Sequence, residues 1–199
     1  MRKPLATITA AALTAAIAYT LHTNAQDDTP THELLNTITI APEDASYDYV
    51  RDEWPHWSYV GDYCDIRDVV LQKQAEQVRV GEKCALSGTW VSPYDDVTVT
   101  DPSDLDIDHV IPLAEVAASG SRGWSEAERE AFANDERFLL AVTASSNRSK
   151  SDADPAEWMP TDTSYHCEYL HLWVDAKHAY NLTMDQKEHN AVARGLNRC

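Results

Sequence analysis

The sequence predicts an α+β fold, in which short antiparallel strands are wrapped by helices and stapled by disulfides. Two observations give the fold class, because brief β-type segments occupy the middle of the chain and patterns of helical period lie on both sides of them. A third observation gives the staples, because four cysteines follow an N-terminal export signal. A chain of 199 residues can bury one sizeable core, so we expect a single folded domain.

The first 25 residues have the pattern of a secretory signal peptide. Two basic residues precede an apolar, Ala-rich run over residues 5–21, and small residues follow it for cleavage. The run is about long enough to span a bilayer, so an uncleaved anchor is the alternative. Residues 26–33 are polar and predict a linker, which leaves 34–199 as the domain. We therefore expect a secreted protein with no stable membrane association after cleavage.

The charge of the chain restricts how it could bind a nucleic acid. It has 16 basic and 33 acidic residues and a formal net charge of −17. Loss of Arg2 and Lys3 with the signal leaves 14 basic residues, so the net charge becomes −19. Affinity for phosphates normally comes from Lys and Arg, and an acidic surface opposes it. A nuclease of this composition has to rely on local basic groups and bound cations.

The four cysteines predict two disulfides, because the export signal places them in an oxidising compartment. They are Cys64, Cys84, Cys167 and Cys199. Three pairings are possible, and the nearest-neighbour pairing would staple each end of the domain locally. A zinc site is the rival interpretation, although no two of the cysteines have CxxC spacing.

The N-terminal part of the domain predicts a short apolar segment, an aromatic segment and a helix. The apolar residues between positions 34 and 40 fit a short helix or an extended arm. Residues 49–57 are too rich in aromatic side chains for a linker, and we favour a core-facing plug over a base-stacking platform. Asp65 can cap a helix over residues 66–80, which Gly81 would end.

Short strands are predicted in the middle of the chain. Residues 86–91 and 97–100 have β-type composition and flank a turn-forming segment at 92–96. A third strand over residues 105–110 ends in an Asp-His pair. These segments predict a small antiparallel β element.

Capping residues and apolar spacing predict the helices of the C-terminal half. Pro112 can open a short helix, and residues 125–128 form a capping-box pattern with Ser first and Glu fourth. Residues 168–180 have helical apolar spacing, and Thr183 or Asp185 can cap a last helix ending near the C-terminus.

A second short strand and a helix complete the predicted site. Residues 138–142 are apolar and short enough for a strand, and residues 143–146 supply capping side chains for a helix that carries Asn147 and Lys150. The predicted order is therefore strand, crossing, strand and helix, with polar residues at the ends of its parts.

Asp108, His109 and Asn147 are the candidate metal-ligating and catalytic residues. Neutral imidazole is available near pH 7, so His109 can act as a general base. Neighbouring side chains on a strand point to opposite faces, so Asp108 can hold a metal while His109 faces water. A carboxylate and an amide oxygen form a sparse oxygen site that suits one Mg²⁺ or Mn²⁺ ion better than zinc.

Three cations are candidates for binding phosphate. Lys150 lies on roughly the same helical face as Asn147 and is our choice for the scissile or an adjacent phosphate. Arg148 adds positive charge beside it. Arg67 falls in the first turn of a predicted helix, where a cation opposes the helix dipole, so we consider both a phosphate contact and an ion pair to an acid. The triplet that begins at Asn147 also fits a glycosylation sequon.

The combined pattern resembles the ββα-metal (HNH) nuclease motif. Asp-His-Val-Ile-Pro at 108–112 is followed by a hydrophobic strand and by Asn-Arg-Ser-Lys-Ser-Asp at 147–152. The domain is similar to secreted actinobacterial HNH proteins that are related to the C-terminal domain of GmrSD-type restriction enzymes. The matching features outside the motif are Tyr49 and Arg51 to Trp57, Cys64-Asp65-x-Arg67, Cys84 to Trp90 with Pro93-Tyr94, and Asp154 to Trp158.

The resemblance implies a ββα-metal core and specific roles for residues. His109 would be the general base, and Asp108 and Asn147 would bind one divalent metal. The products would be a 5′-phosphate and a 3′-hydroxyl. The third His of classical HNH enzymes is missing, so the third protein ligand is open. Glu115, six residues beyond His109, is a candidate for a supporting carboxylate behind the metal ligands.

We therefore expect a secreted, extracellular bacterial endonuclease that acts on DNA, and on RNA as a second substrate class. We expect it to be a monomer and to depend on Mg²⁺ or Mn²⁺. Two alternatives remain: a non-catalytic secreted binding protein on the same fold, which the acidic surface would suit, and a phosphodiesterase acting on small or lipid-linked substrates.

Overall fold

The computed structural model describes residues 30–199, so the expected signal peptide and most of the linker lie outside the described residues. The helices are α1 (Thr31–Thr37), α2 (Ile66–Gln74), α3 (Leu113–Ala118), α4 (Glu126–Ala133), α5 (Ala144–Lys150), α6 (His166–Ala179) and α7 (Gln186–Leu196). The strands are β1 (Tyr59–Val60), β2 (Cys64–Asp65), β3 (Ala75–Val80), β4 (Leu86–Ser92), β5 (Val97–Val99), β6 (Leu105–His109) and β7 (Leu139–Thr143). Within this part of the chain, each helix is too short or too polar to cross a bilayer.

The strands form small antiparallel sheets, as the sequence predicts. One sheet pairs β1 with β2, a second has the order β3-β4-β5, and a third pairs β6 with β7. In the third sheet Asp108 lies opposite Leu140 and His109 lies opposite Leu139. Helix α5 begins directly after β7, so two antiparallel strands and a helix carry the Asp-His pair and Asn147.

The helix predicted over residues 66–80 is wrong in its second half. Helix α2 ends at Gln74, and residues 75–80 form strand β3, which pairs antiparallel with β4. The stretch Ala-Glu-Gln-Val-Arg-Val alternates polar and β-branched residues, and cross-strand packing against β4 outweighs its helical spacing.

The predicted helix caps are confirmed. Asp65 caps α2, Ser125 caps α4 and Asp185 caps α7, each in a reciprocal capping box with the residue three positions later. Thr143 caps α5, because its side chain accepts a hydrogen bond from the backbone amide of Ser146. Because Thr143 is also the last residue of β7, this cap fixes where the helix carrying Asn147 starts.

The core has two parts, with the β6–β7 pair between them. Strand residues Ile107 and Ala141 pack with Trp90 and helix α2 on one side. Val110, Leu140 and Val142 pack into the larger cluster formed with α3, α4, α6 and α7. The site strand is therefore held from both sides by apolar contacts, which keeps its polar residues in place.

Both predicted disulfides form, with nearest-neighbour pairing. Cys64 bonds to Cys84 and Cys167 bonds to Cys199. Among the described residues no cysteine is free, so the rival zinc interpretation is wrong for these four side chains. The first bond ties β2 to the turn before β4, and the second ties α6 to the C-terminus.

Candidate functional site

Strand β6 presents polar side chains on two faces. Asp106 and Asp108 contact residues of α5. His109 points to the other face, where it meets helix α4. The alternation of side chains along a strand produces this separation, as expected from the Asp-His pair.

His109 is held as a buried, neutral imidazole. Its Nε2 lies 2.9 Å from the carbonyl oxygen of Ala133, and since a carbonyl only accepts, Nε2 carries the proton. Nothing among residues 30–199 hydrogen-bonds to its Nδ1, so a lone pair is available there. The ring lies between the parallel rings of Trp57 and Phe132, with centroid distances of 5.2 and 6.5 Å. Burial lowers the pKa of His109 to about 3, which keeps the imidazole neutral at pH 7.

Asp108 is buried and engaged on one of its oxygens. Its Oδ2 accepts a 2.6 Å hydrogen bond from the Tyr94 hydroxyl and a 2.7 Å bond from the Lys150 ammonium. The same ammonium also donates to the backbone carbonyl of His109 at 2.7 Å. Burial raises the pKa of Asp108 and lowers the pKa of Lys150, while the attraction between the two charges opposes both shifts. The other oxygen of Asp108, Oδ1, has no such partner among the described residues.

Lys150 is buried inside the protein, whereas a residue that binds a substrate phosphate has to be accessible. Its side chain is 0 % exposed, and its ammonium bonds to Asp108 and to the backbone of His109. These contacts favour a positioning role, because they lock the end of β6 against α5 and orient Asp108. The phosphate contact predicted from helical spacing would require the ammonium to leave this buried pair.

Asn147 meets a carboxylate that the sequence analysis did not single out. Its Nδ2 donates to Oδ2 of Asp106 at 3.0 Å, which leaves the Asn147 Oδ1 free to accept or to bind a cation. Asp106 lies two residues before Asp108 on the same strand, so its position on the same face could have been deduced from the strand period. After burial, negative charge on Asp106 is a further, smaller cause that raises the pKa of Asp108.

The oxygen donors of this face are of the type that a hard divalent cation prefers. They are the Asp106 carboxylate, Oδ1 of Asp108 and Oδ1 of Asn147. Oxygen-only donor sets suit Mg²⁺ or Mn²⁺, and no histidine or thiolate joins them. In the described part of the chain, the group of three Cys, His or acidic side chains spaced for a metal is Cys64, Asp68 and Cys84, and both of its cysteines are in a disulfide.

The aromatic segment contributes both to the core and to the site. Trp54 is 1 % exposed and packs against Trp124 and Phe132, as a core-facing plug should. Trp57 stacks on His109, and the His56 ring lies edge-on at 5.8 Å from it. The position of His56 beside the base could not be predicted, because the two residues are far apart in sequence.

Two further predicted site residues lie in other surroundings. The Arg67 guanidinium donates to the carbonyls of Pro102 and Leu105 at 2.8 and 2.9 Å, so it braces the start of β6 instead of forming an ion pair. Glu115 is buried and accepts a 2.5 Å bond from Lys177, so it takes part in a separate ionic cluster; within residues 30–199 it forms no hydrogen bond or ion pair with a side chain of β6.

Arg148 remains at the surface of α5, one position after Asn147. Its exposure is compatible with the phosphate-attracting role expected for it, which stays a prediction.

Comparisons with known proteins point to one family. A model of the C-terminal domain of GmrSD restriction endonucleases matches residues 65–194. An uncharacterized secreted protein of the fungus Arthroderma benhamiae is 40 % identical over 169 residues, which is 83 % of each chain. No solved structure matches the chain. The matched range includes β6, β7 and α5, and therefore the oxygen donors named above and His109.

Proposed function

Because the chain belongs to the family of the C-terminal domain of GmrSD restriction endonucleases, we propose that it is a secreted, metal-dependent endonuclease of the HNH type. Its substrate would be DNA, with RNA as a second class. The observation that carries the proposal is the arrangement around β6. A neutral histidine with a free ring nitrogen lies on one face, and a set of oxygen donors lies on the other.

The side chains divide the work of hydrolysis. Nδ1 of His109 takes a proton from the attacking water, and the Ala133 carbonyl keeps the ring in the required tautomer. Asp106, Asp108 and Asn147 would hold one Mg²⁺ or Mn²⁺, which supplies positive charge to the phosphate oxygens when bound. The bond between phosphorus and the 3′ oxygen breaks as the water oxygen bonds to phosphorus, and the leaving 3′ oxygen takes a proton from solvent, which gives a 3′-hydroxyl and a 5′-phosphate.

Tyr94 and Lys150 would act through Asp108. Both donate to the same carboxylate oxygen, so they hold the carboxylate in place and leave its other oxygen, Oδ1, for the metal. Arg148 would attract the substrate backbone on this side. The structure thus supports a role for Lys150 that is structural and not a contact with substrate.

The acidic charge supports one alternative of a different class, a secreted binding protein without catalytic activity. A net charge of −17 disfavours nucleic acid and would suit a basic protein ligand. The same experiment separates the two functions, because a binding protein leaves plasmid intact. A phosphodiesterase acting on small substrates would also leave plasmid intact but would cleave a model diester.

The test is incubation of the purified protein with supercoiled plasmid in Mg²⁺, Mn²⁺ or EDTA, with single-stranded DNA, duplex DNA and RNA in parallel. We expect cleavage with a metal and none with EDTA. His109→Ala should abolish it, whereas His171→Ala, on α6, should cleave like the parent. Equal cleavage by the parent and His109→Ala would refute the assignment of the base.

Metal binding gives a second readout that does not depend on turnover. Calorimetric titration should show weaker Mn²⁺ binding by Asn147→Ala and by Asp106→Ala. His109→Ala should bind Mn²⁺ like the parent, because its ring lies on the opposite face of β6. Loss of binding in His109→Ala, or normal binding in both other variants, would contradict this division.

A further inference from the structure

Arg51 is an exposed cation without an acidic partner near the base. Among the described residues its guanidinium forms no ion pair, whereas Lys73, Arg122 and Arg137 each pair with a carboxylate. In a chain with 33 acidic residues, an arginine free of them keeps its charge available. Its partners are instead uncharged side chains: Nη2 lies 2.9 Å from Nε2 of His56, and Tyr49 also hydrogen-bonds to the guanidinium.

The proton on His56 can be placed from its two partners. A guanidinium only donates, so Nε2 of His56 must accept from Arg51. A carbonyl only accepts, so Nδ1 carries the proton and donates to the Trp54 oxygen at 2.5 Å. Burial lowers the pKa of His56, which is consistent with this neutral form. His56 is therefore a fixed acceptor that orients the Arg51 guanidinium.

This pair lies on the same side of β6 as the base. The His56 ring is edge-on to the His109 ring with centroids 5.8 Å apart, and the next residue, Trp57, stacks on His109. Hydrogen bonds to α4 fix the segment, since Asn134 donates to the Pro55 carbonyl at 2.9 Å.

Three other cations near the site already bond to groups of the protein. Lys150 is buried in its pair with Asp108. Arg67 bonds to backbone carbonyls, and Arg129 does the same with the carbonyls of Glu53 and Trp124. Arg148 lies on α5, the helix that packs on the opposite face of β6. A substrate that reaches His109 would meet Arg51 as the exposed cation on that face.

We propose that Arg51, oriented by neutral His56, binds a substrate phosphate next to His109. The proposal rests on the nuclease function proposed above and adds a substrate-binding residue and a positioning residue to it. The guanidinium offers further N–H donors beyond the one given to His56, so a phosphate oxygen can be bound without breaking the Arg51–His56 contact.

The test compares Arg51→Ala, Arg51→Lys and His56→Asn with the parent in steady-state cleavage of an oligonucleotide across a range of salt concentrations. Arg194→Ala, at an exposed position of α7, is the matched control for loss of one positive charge. We expect KM to rise about 10- to 100-fold in Arg51→Ala, the size expected for a hydrogen bond to a charged group. The change in kcat should be smaller.

Salt dependence identifies a lost phosphate contact. The slope of log KM against log salt should become shallower in Arg51→Ala by about 0.7 to 0.9, which is the effect of one phosphate. Arg51→Lys should recover most of the slope but not all of the affinity, since it cannot keep the planar fork. His56→Asn should raise KM less than Arg51→Ala and keep the slope.

Two outcomes would overturn the proposal while leaving the nuclease function intact. One is a parent-like KM and slope in Arg51→Ala. The other is an activity loss accompanied by a lower melting temperature and an unchanged slope, which would mean a structural role. If the parent itself cleaves nothing, the nuclease function fails. In that case, oligonucleotide binding measured in EDTA at low salt still tests Arg51. Equal affinity of the parent and Arg51→Ala would refute the proposed phosphate contact.

Discussion

Replacing Lys150 by Met should destabilise the protein strongly. The ammonium is 0 % exposed and donates 2.7 Å bonds to Asp108 and to the backbone of His109. Met fills a similar volume but donates nothing, so the Asp108 carboxylate would stay buried with Tyr94 as its remaining partner. Removing one partner of a buried pair costs about 3–5 kcal/mol, and we expect a loss of this size near pH 8.

The assay is urea unfolding followed by tryptophan fluorescence. The double variant Asp108→Asn with Lys150→Met is the control, because it removes the stranded charge and should recover much of the loss. The pH dependence provides a check on the cause. Burial raises the pKa of Asp108, and loss of the Lys150 charge should raise it further. Lowering the pH should therefore protonate Asp108 in folded Lys150→Met and reduce the loss of stability in that variant.

A loss below about 1 kcal/mol in Lys150→Met, the range of exposed ion pairs, would refute the structural reasoning. Lys150 would then be free to serve as the phosphate ligand that its helical spacing predicts. A shallower salt dependence of KM in a variant of unchanged stability would establish that role. The one substitution thus separates the two functions considered for this side chain.

Three further predictions concern stability. Burial raises the pKa of Glu188 to about 7 from an ordinary 4.5, so the folded protein binds this proton more tightly than the unfolded chain does. The stabilisation that results is complete below pH 4.5. It is lost as the pH rises through 7, which lowers the free energy of unfolding by roughly 3 kcal/mol. Urea unfolding of Glu188→Gln between pH 5 and 8 should lack this slope, and an unchanged slope would exclude Glu188 as its source. Loss of the bond between Cys167 and Cys199, which are 32 residues apart, in a double Ser variant should cost about 3–4 kcal/mol by chain entropy, and calorimetry showing no drop in Tm would contradict this. Gly88→Ala should cost about 1–3 kcal/mol, because a Cβ would overlap the Gln77 carbonyl across the sheet; urea unfolding with a parent-like midpoint would show that the strands can separate without penalty.

Sequence reasoning succeeded where the deciding interaction is local. The capping box at Ser125 and the Thr143 cap each involve residues within three positions, so the sequence contains both partners. The placement of Asp108 and His109 on opposite faces follows from the strand period alone. Strand β3 was missed because its deciding partner is β4, on the far side of a turn, and helical spacing carries no information about that pairing.

The sequence predicts most residues of the candidate site but only some of the contacts between them. Lys150 from helix α5 and Tyr94 from the turn after β4 both bond to Asp108 on β6, and only the packed fold shows that the Lys150 ammonium is buried there. Likewise, His56 reaches His109 because α4 holds the aromatic segment through Asn134. Asp106 was predictable in principle, since it shares the face of Asp108 at a spacing of two.

The acidic composition and the geometry of the site together determine how a phosphate could be bound. Most of the surface repels a polyanion, and the buried ammonium of Lys150 contributes nothing to long-range attraction. In the function proposed here, attraction would therefore come from a cation held by the oxygen donors of β6 and α5, and from Arg148 and Arg51. Added salt weakens these contacts but also screens the repulsion from the rest of the surface, so the two effects oppose each other. An acidic nuclease built in this way would keep more of its affinity at the ionic strength of an extracellular medium than one that depends on a broad basic surface.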